Sequence, residues 1–274
     1  CVTRRQRQMC IRDRSKTIEE LCEKYDIENY TINSDGSIDV DGDVCIQNSE
    51  FTKLTLKFNK VTGDFSCYNN ELTSLEGSPK YVGGYFDCDG NLLDDLKGSP
   101  KQVDGVFSCK SNNLTSLEGG PEKVGDDFNC GSNYLTNLKG SPKQVGGDFK
   151  CYNNDLTSLE ESPISVGGEF DCGNNKLVNI KGCPEKVGKD FYCFENPKLS
   201  SLEGNLKSLG LFLYCDETPL ESIFNDVNID FIIAFNSFKV IKDDVVNLKR
   251  LKYVMEIFDK PIHIDKIKTY YTIK

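Results

Sequence analysis

The chain predicts a β-rich solenoid: one right-handed array of about nine 21-residue coils, closed by small helical caps at both ends. Three observations carry that prediction. Cys67, Cys88, Cys109, Cys130, Cys151, Cys172 and Cys193 stand 21 residues apart, with Cys215 following at 22. Around each cysteine one pattern recurs, V-G-G-x-F-x-C-x-x-N-x-L-T-S-L-E-G-S-P-K-x. Hydrophobic content is only 38% of 274 residues, thin for a globular core of this size but enough for stacked coils that each need a few inward residues.

In chain order, residues 1–14 (CVTRRQRQMCIRDR) carry five arginines and one aspartate and share nothing with the repeat. The string MCIRDR resembles translated sequencing-adapter read-through, so the segment is set apart as non-native or disordered. A basic tail for an acidic partner is the other reading. Without the segment the net charge falls from −10 to −14.

Residues 15–41 read as an N-terminal cap. The stretch SKTIEELCEKYD predicts a short helix with Ile18, Leu21 and Cys22 on one face and Ser15 or Thr17 as N-cap. Tyr30, Ile32, Ile38 and Val40 alternate around N-S-D-G-S, a hairpin signal. Residues 42–225 form the solenoid. Its first, degenerate unit places Val44, Ile46, Phe51, Leu54 and Val61 one period before Phe65, Cys67, Leu72, Leu75 and Val82; Leu213, Cys215, Leu220 and Ile223 form the last clear unit. Residues 226–274 are the C-terminal cap, with Val245, Leu248, Leu251, Val254, Met255 and Phe258 at helical spacing behind Asp243 and Asp244. Pro261 ends that helix, and Asp265 opens a final turn through Tyr270.

Within a unit, F-x-C has period 2, so Phe and Cys share one side of a short strand and their neighbours share the other. The Asn three residues later is polar and inward. It is expected to hydrogen-bond backbone groups of the turn beside and below it. Leu at +5 and Leu or Ile at +8 roof the core, Gly at +10 and Pro at +12 turn the chain, and the Val with its Gly pair starts the return.

The spacing F-x-C-x-x-N-x-L resembles the leucine-rich repeat, L-x-L-x-x-N/C-x-L, over roughly residues 42–225. The unit is most similar to the short bacterial-effector class, in which an extended convex side replaces a helix. It departs from that class in its Phe and Cys and in its 21-residue length. The F-x-C and S-P-K-x-V-G-G variant also resembles uncharacterised repeat proteins of large tailed phages and related environmental viruses. The resemblance implies a curved array and a recognition role, and it is silent on the ligand.

Equivalent ladder cysteines point the same way on successive coils, so they are expected to be buried free thiols rather than bridges. A chain with that many free thiols is placed in a reducing intracellular compartment such as the cytoplasm. There is no C-x-x-C, and His263 is the only histidine, so neither a zinc site nor a Ser/His/Asp or Cys/His set is supported. V-G-K-D at 187–190 lacks the end of a phosphate loop, and D-V-D-G-D at 39–43 lacks the later Glu of a calcium loop. No catalytic residue, cofactor or metal is assigned, and the chain is read as a non-enzyme. The acidic balance disfavours nucleic acid and anionic membrane as partners, no apolar run approaches a membrane span, and a monomer is expected.

The remaining candidate is the wall formed by the residues flanking Phe and Cys, expected to be concave. Three rows run along it. They lie three residues before each cysteine (Asp64, Tyr85, Val106, Asp127, Asp148, Glu169, Asp190, Phe212), one before (Ser66, Asp87, Ser108, Asn129, Lys150, Asp171, Tyr192, Tyr214) and one after (Tyr68, Asp89, Lys110, Gly131, Tyr152, Gly173, Phe194, Asp216). They sum to −7, with an aromatic cluster towards the C-terminal end. Asp64, Tyr85, Asp87, Asp127, Asp148, Glu169, Asp171, Asp190, Tyr192, Phe194, Phe212 and Tyr214 are therefore the candidate contacts for a protein with basic and apolar spots. Stacked acids should repel one another until a basic ligand arrives, and reversing Asp127, Asp148 and Glu169 to Lys should leave the fold intact. The alternative is a structural spacer or surface component without one defined ligand.

Overall fold

The computed structural model describes residues 17–46 and 51–274; the arginine-rich segment 1–14 and Ser15 lie outside them. Helix α1 (Ile18–Lys24) opens on Thr17, whose hydroxyl accepts from the Glu20 N–H while the Glu20 carboxylate accepts from the Thr17 N–H. A hairpin of Tyr30–Ile32 and Ile38–Val40 follows, and its second strand pairs in parallel with Phe58–Val61. The cap thus hands its edge to the array.

Each coil contributes two very short strands rather than one. The first ends on the repeat Val (Tyr81–Val82 in one coil), and the second opens on the repeat Phe (Phe86–Asp87). Stacked in register, they build a ten-stranded sheet that includes the hairpin, the Val sheet, and a nine-stranded Phe sheet spanning about eight complete turns. Phe65 pairs with Phe86, Phe86 with Phe107, and so on to Phe170 with Phe191. The Val therefore does not begin a return, as the sequence suggests; it closes a strand of its own, and the Gly pair makes the corner to the Phe strand. At that corner a Cβ on Gly83 would lie 2.1 Å from the Thr62 carbonyl oxygen, so the close approach of neighbouring coils demands glycine.

The interior is a set of ladders. From Phe65 to Phe170 successive rings stack with centroids 5.2–5.6 Å apart and nearly parallel planes, and Phe58 and Phe191 end the column edge-to-face. The ladder thiols are buried and unpaired, and several donate to a carbonyl of the next coil, as Cys88 does to Ser108 at 3.3 Å. Burial pushes the Cys88, Cys109, Cys130, Cys151, Cys172 and Cys193 thiols well above their ordinary range, which keeps them protonated and inert.

The asparagine ladder behaves as its buried polar character requires. In Asn91 the amide Nδ2 donates to the carbonyls of Cys67 in the coil below and Cys88 in its own coil, both at 3.0 Å. Its Oδ1 accepts from the Leu72 N–H at 3.0 Å. The arrangement recurs coil by coil through Asn196. Every buried side-chain amide thus knits two coils together. On the outer loops, Glu and Lys of the L-E-G and L-K-G turns pair across coils, as in Lys139–Glu118 (2.9 Å) and Lys181–Glu203 (3.1 Å).

At the far end Leu213 and Val227 exchange backbone hydrogen bonds and close the last Phe-sheet strand. Helices α2 (Ile229–Ser237), α3 (Leu248–Ile257) and α4 (Ile264–Tyr270) complete the cap around Phe224, Phe231, Phe235 and Phe258. Two details differ from the sequence reading. Val245–Val246 forms a strand, paired with Ile241–Lys242 and Thr272–Ile273, instead of starting α3. Asp243 and Asp244 lie at positive φ in the tight turn before it, and the Asn247 side chain caps α3 at the Arg250 N–H.

Candidate functional site

The outer wall of the Phe sheet carries the three predicted rows, and in-register stacking does bring them side by side. The row three residues before the cysteines is not a free set of charges, however. Asp43 Oδ1 accepts from the Asp64 N–H (2.8 Å), Asp64 from Tyr85 (2.9 Å), Asp127 from Asp148 (2.7 Å), Asp148 from Glu169 (2.9 Å) and Asp190 from Phe212 (3.0 Å). Each carboxylate reaches one coil onward and caps a backbone N–H, as an N-cap residue caps a helix. Where Asp43, Asp64, Asp127 and Asp148 do this, the next coil has a second corner glycine, and a Cβ on Gly63, Gly84, Gly147 or Gly168 would fall 1.9–2.2 Å from that carboxylate oxygen. Val106 cannot cap, and the following coil carries Asp126 there instead. Asp190, in the 22-residue coil, caps past Leu211.

The expected repulsion between stacked acids is thereby relieved from within. Lys150 adds to this with an ion pair to Asp148 at 2.8 Å, both side chains largely buried. Burial alone would raise the Asp148 carboxyl, but the Glu169 N–H and the Lys150 ammonium outweigh it and hold it below the usual range. Burial likewise would lower Lys150, yet Asp148, with Asp127 and Glu169 nearby, leaves it raised. The expectation that Lys at 127, 148 and 169 leaves the fold intact is accordingly replaced: Asp127 and Asp148 each hold a backbone N–H of the next coil.

In the middle row the side chains of Asp87, Asn129 and Asp171 each accept from the N–H two residues on (2.9, 3.0 and 2.9 Å). Burial raises the carboxyls of Asp87 and Asp171. Asp89 accepts from the Ser108 hydroxyl and the Lys110 N–H, both at 2.6 Å, and burial still pushes it up to about 6.

The aromatic end is assembled as predicted. Tyr192 stacks on Tyr214 with centroids 5.1 Å apart, Phe194 meets Tyr192 edge-to-face at 6.3 Å, and Phe212 meets Tyr214 at 6.4 Å. Phe212 is 44% exposed. Tyr85, at the other end, is 43% exposed and apart from the cluster. Tyr192 is pushed up to about 12 by burial and then by Glu169 and Asp190.

Sequence reasoning missed how far the aromatic stripe extends. Tyr152 lies over Gly131 and Phe194 over Gly173, so closely that a Cβ on either glycine would meet the ring at 2.6–2.7 Å. Lys110 Nζ sits 5.9 Å from the Tyr152 ring centroid. The signal was present in the row after the cysteines, where Gly131, Tyr152, Gly173 and Phe194 alternate small and large.

Elsewhere the carboxylates of D-V-D-G-D are engaged in structure: Asp39 accepts from Asn33 and Asn59, Asp41 from Thr62, and Asp43 from Asp64. Exposed His263 precedes α4 beside a cleft of about 190 Å³ in the C-terminal cap that also involves Glu221, Lys260 and Lys266. Among the described residues no cluster of three or more potential metal ligands occurs, and no helix is long and apolar enough to cross a membrane. Comparison with protein-family models, with curated proteins and with solved structures returned no match.

Proposed function

We propose that this chain is a protein-interaction module of the leucine-rich-repeat type, which engages a protein partner through the outer wall of its Phe sheet. The observation that carries this reading is the contact cluster of Tyr192, Phe194, Phe212 and Tyr214. Four rings held in place by a rigid sheet, on an acidic background, have the composition of a binding hot spot, where large aromatics anchor and a polar rim surrounds them. Because most carboxylates of the first row are spent on backbone N–H groups, the rings are the anchor and the acids set the sign of the partner, which is basic with apolar spots.

Capture from the lysate of the native host tests the reading, with Phe212→Ser/Tyr214→Ser beside the unaltered chain. The double variant, with an unchanged melting temperature, should lose at least ten-fold in recovery of a specific protein. Equal recovery by both would sink the aromatic anchor. The internal use of the acids also favours a second reading, a spacer whose length is its function; that predicts indifference to Phe212 and Tyr214 but loss of function when whole coils are deleted.

A further inference from the structure

The wall has two acidic sectors that differ in how their charge is met. Around Asp148 the chain supplies its own cation, Lys150. Around Asp87 and Asp89, three coils earlier, no lysine among the described residues forms an ion pair with either carboxylate. Asp87 is bonded only by the Asp89 N–H, through Oδ1, and no cation draws it down. Asp89 uses Oδ1 for both of its bonds, and Lys110, which lowers it slightly, forms no ion pair with it. Both carboxylates are thus partly desolvated anions, each with its second oxygen free of hydrogen bonds among the described residues.

An independent observation marks the same place. Ser66 stands in register with Asp87 on the outward side of the neighbouring strand. It is 3% exposed, and its hydroxyl has no hydrogen-bond partner among the described residues. Ser108, in register with Asp87 on the other side, shows what such a hydroxyl does when an acceptor is in reach, since it bonds Asp89. Tyr85, exposed and two residues before Asp87, has a phenol raised by burial and then by Asp64 and Asp87. A buried hydroxyl without a partner among the described residues, two carboxylates without an ion pair and an exposed aromatic ring together suit a cation. Elsewhere on the wall Lys110 lies over the Tyr152 ring, so a ring of this surface already faces a cation that the chain supplies.

We propose that Ser66, Tyr85, Asp87 and Asp89 form a binding site for a cationic side chain of the partner, the guanidinium of an arginine or the ammonium of a lysine. This rests on the reading of the wall as a partner surface and adds where on it, and by which group, the basic residue is held. A guanidinium suits it best, since its planar fork can bond the free oxygens of the two carboxylates while stacking on a ring.

The test is a backbone-amide NMR titration of the full chain with acetyl-Gly-Arg-amide, and with the citrulline counterpart as an uncharged isostere. The arginine peptide should shift amides 65–68, 85–90 and 108–110, the citrulline peptide should not, and Asp87→Asn/Asp89→Asn should weaken binding at least ten-fold. Asn129 already makes the turn that Asn at 87 would have to make, and Asn at 89 retains an oxygen to accept from the Lys110 N–H. Should the double variant unfold, the arginine–citrulline comparison decides alone. Equal shifts from both peptides, or no shift in this sector, overturn the site. Failure here leaves the aromatic anchor standing, because that rests on Phe212 and Tyr214 six coils further along; failure of the capture experiment with an intact arginine response would do the reverse.

Discussion

The inside and the outside of the Phe sheet are built from alternate residues of the same strands, yet they obey different rules. Inside, Phe, Cys, Asn and Leu repeat almost unchanged, because each must fit its own copy about 5 Å above and below. Outside, a residue need not fit its own copy, and the rows vary from coil to coil. The comparison teaches that periodicity measures how strongly a position is held by its own kind. It also shows where the outside is partly inside: Asp43, Asp64, Asp127, Asp148 and Asp190 look like surface charge and serve as inter-coil caps.

The sharpest way to break the inner order is Asn133→Leu. Asn133 donates to the carbonyls of Cys109, Cys130 and Gly131 and accepts from the N–H groups of Asn112 and Leu114. At about 1–3 kcal/mol for each buried group left unpaired, the loss should be on the order of 4 kcal/mol or more, read as a fall in the denaturant midpoint. A change under ~1 kcal/mol would mean that the ladder does not tie the coils together.

The outer caps should cost less. Asp127→Lys removes the acceptor for the Asp148 N–H and should destabilise by ~1–2 kcal/mol, as loss of a helix N-cap does. Asp127→Asn retains a carbonyl acceptor and should stay within ~0.5 kcal/mol of the parent. If the two variants were equally stable, the carboxylate would be ordinary surface charge.

A third effect is a pH dependence to which Asp89 contributes. Asp89 has an ordinary carboxyl pKa of 3.8 but is pushed up to about 6 in the fold. The folded state therefore keeps a proton that the unfolded chain has already released. The stability this contributes is full below about pH 4 and is lost as pH rises to about 6. Asp89→Asn should flatten that stretch of the stability profile and leave the variant at least as stable at pH 7. An unchanged slope between pH 4 and 6 would show that Asp89 is not desolvated.

Much of this was legible beforehand because a solenoid turns sequence distance into spatial distance. Once the period is known, Phe65 must lie beside Phe86, and the composition of the outer wall follows, including the meeting of Tyr192, Phe194, Phe212 and Tyr214. The caps were less legible, since nothing repeats there. Asp243 and Asp244 look like the start of a helix and instead turn a short strand pair.

The bare string of residues determined the coil, its inward set and the order of the wall, because steric fit and hydrophobic burial act on every copy alike. Only the assembled structure decided which charges remain available. Whether a carboxylate meets water, Lys150 or the N–H of the coil above depends on a reach of a few ångströms between residues some 21 positions apart. A glycine or an aspartate looks the same in the sequence in each case.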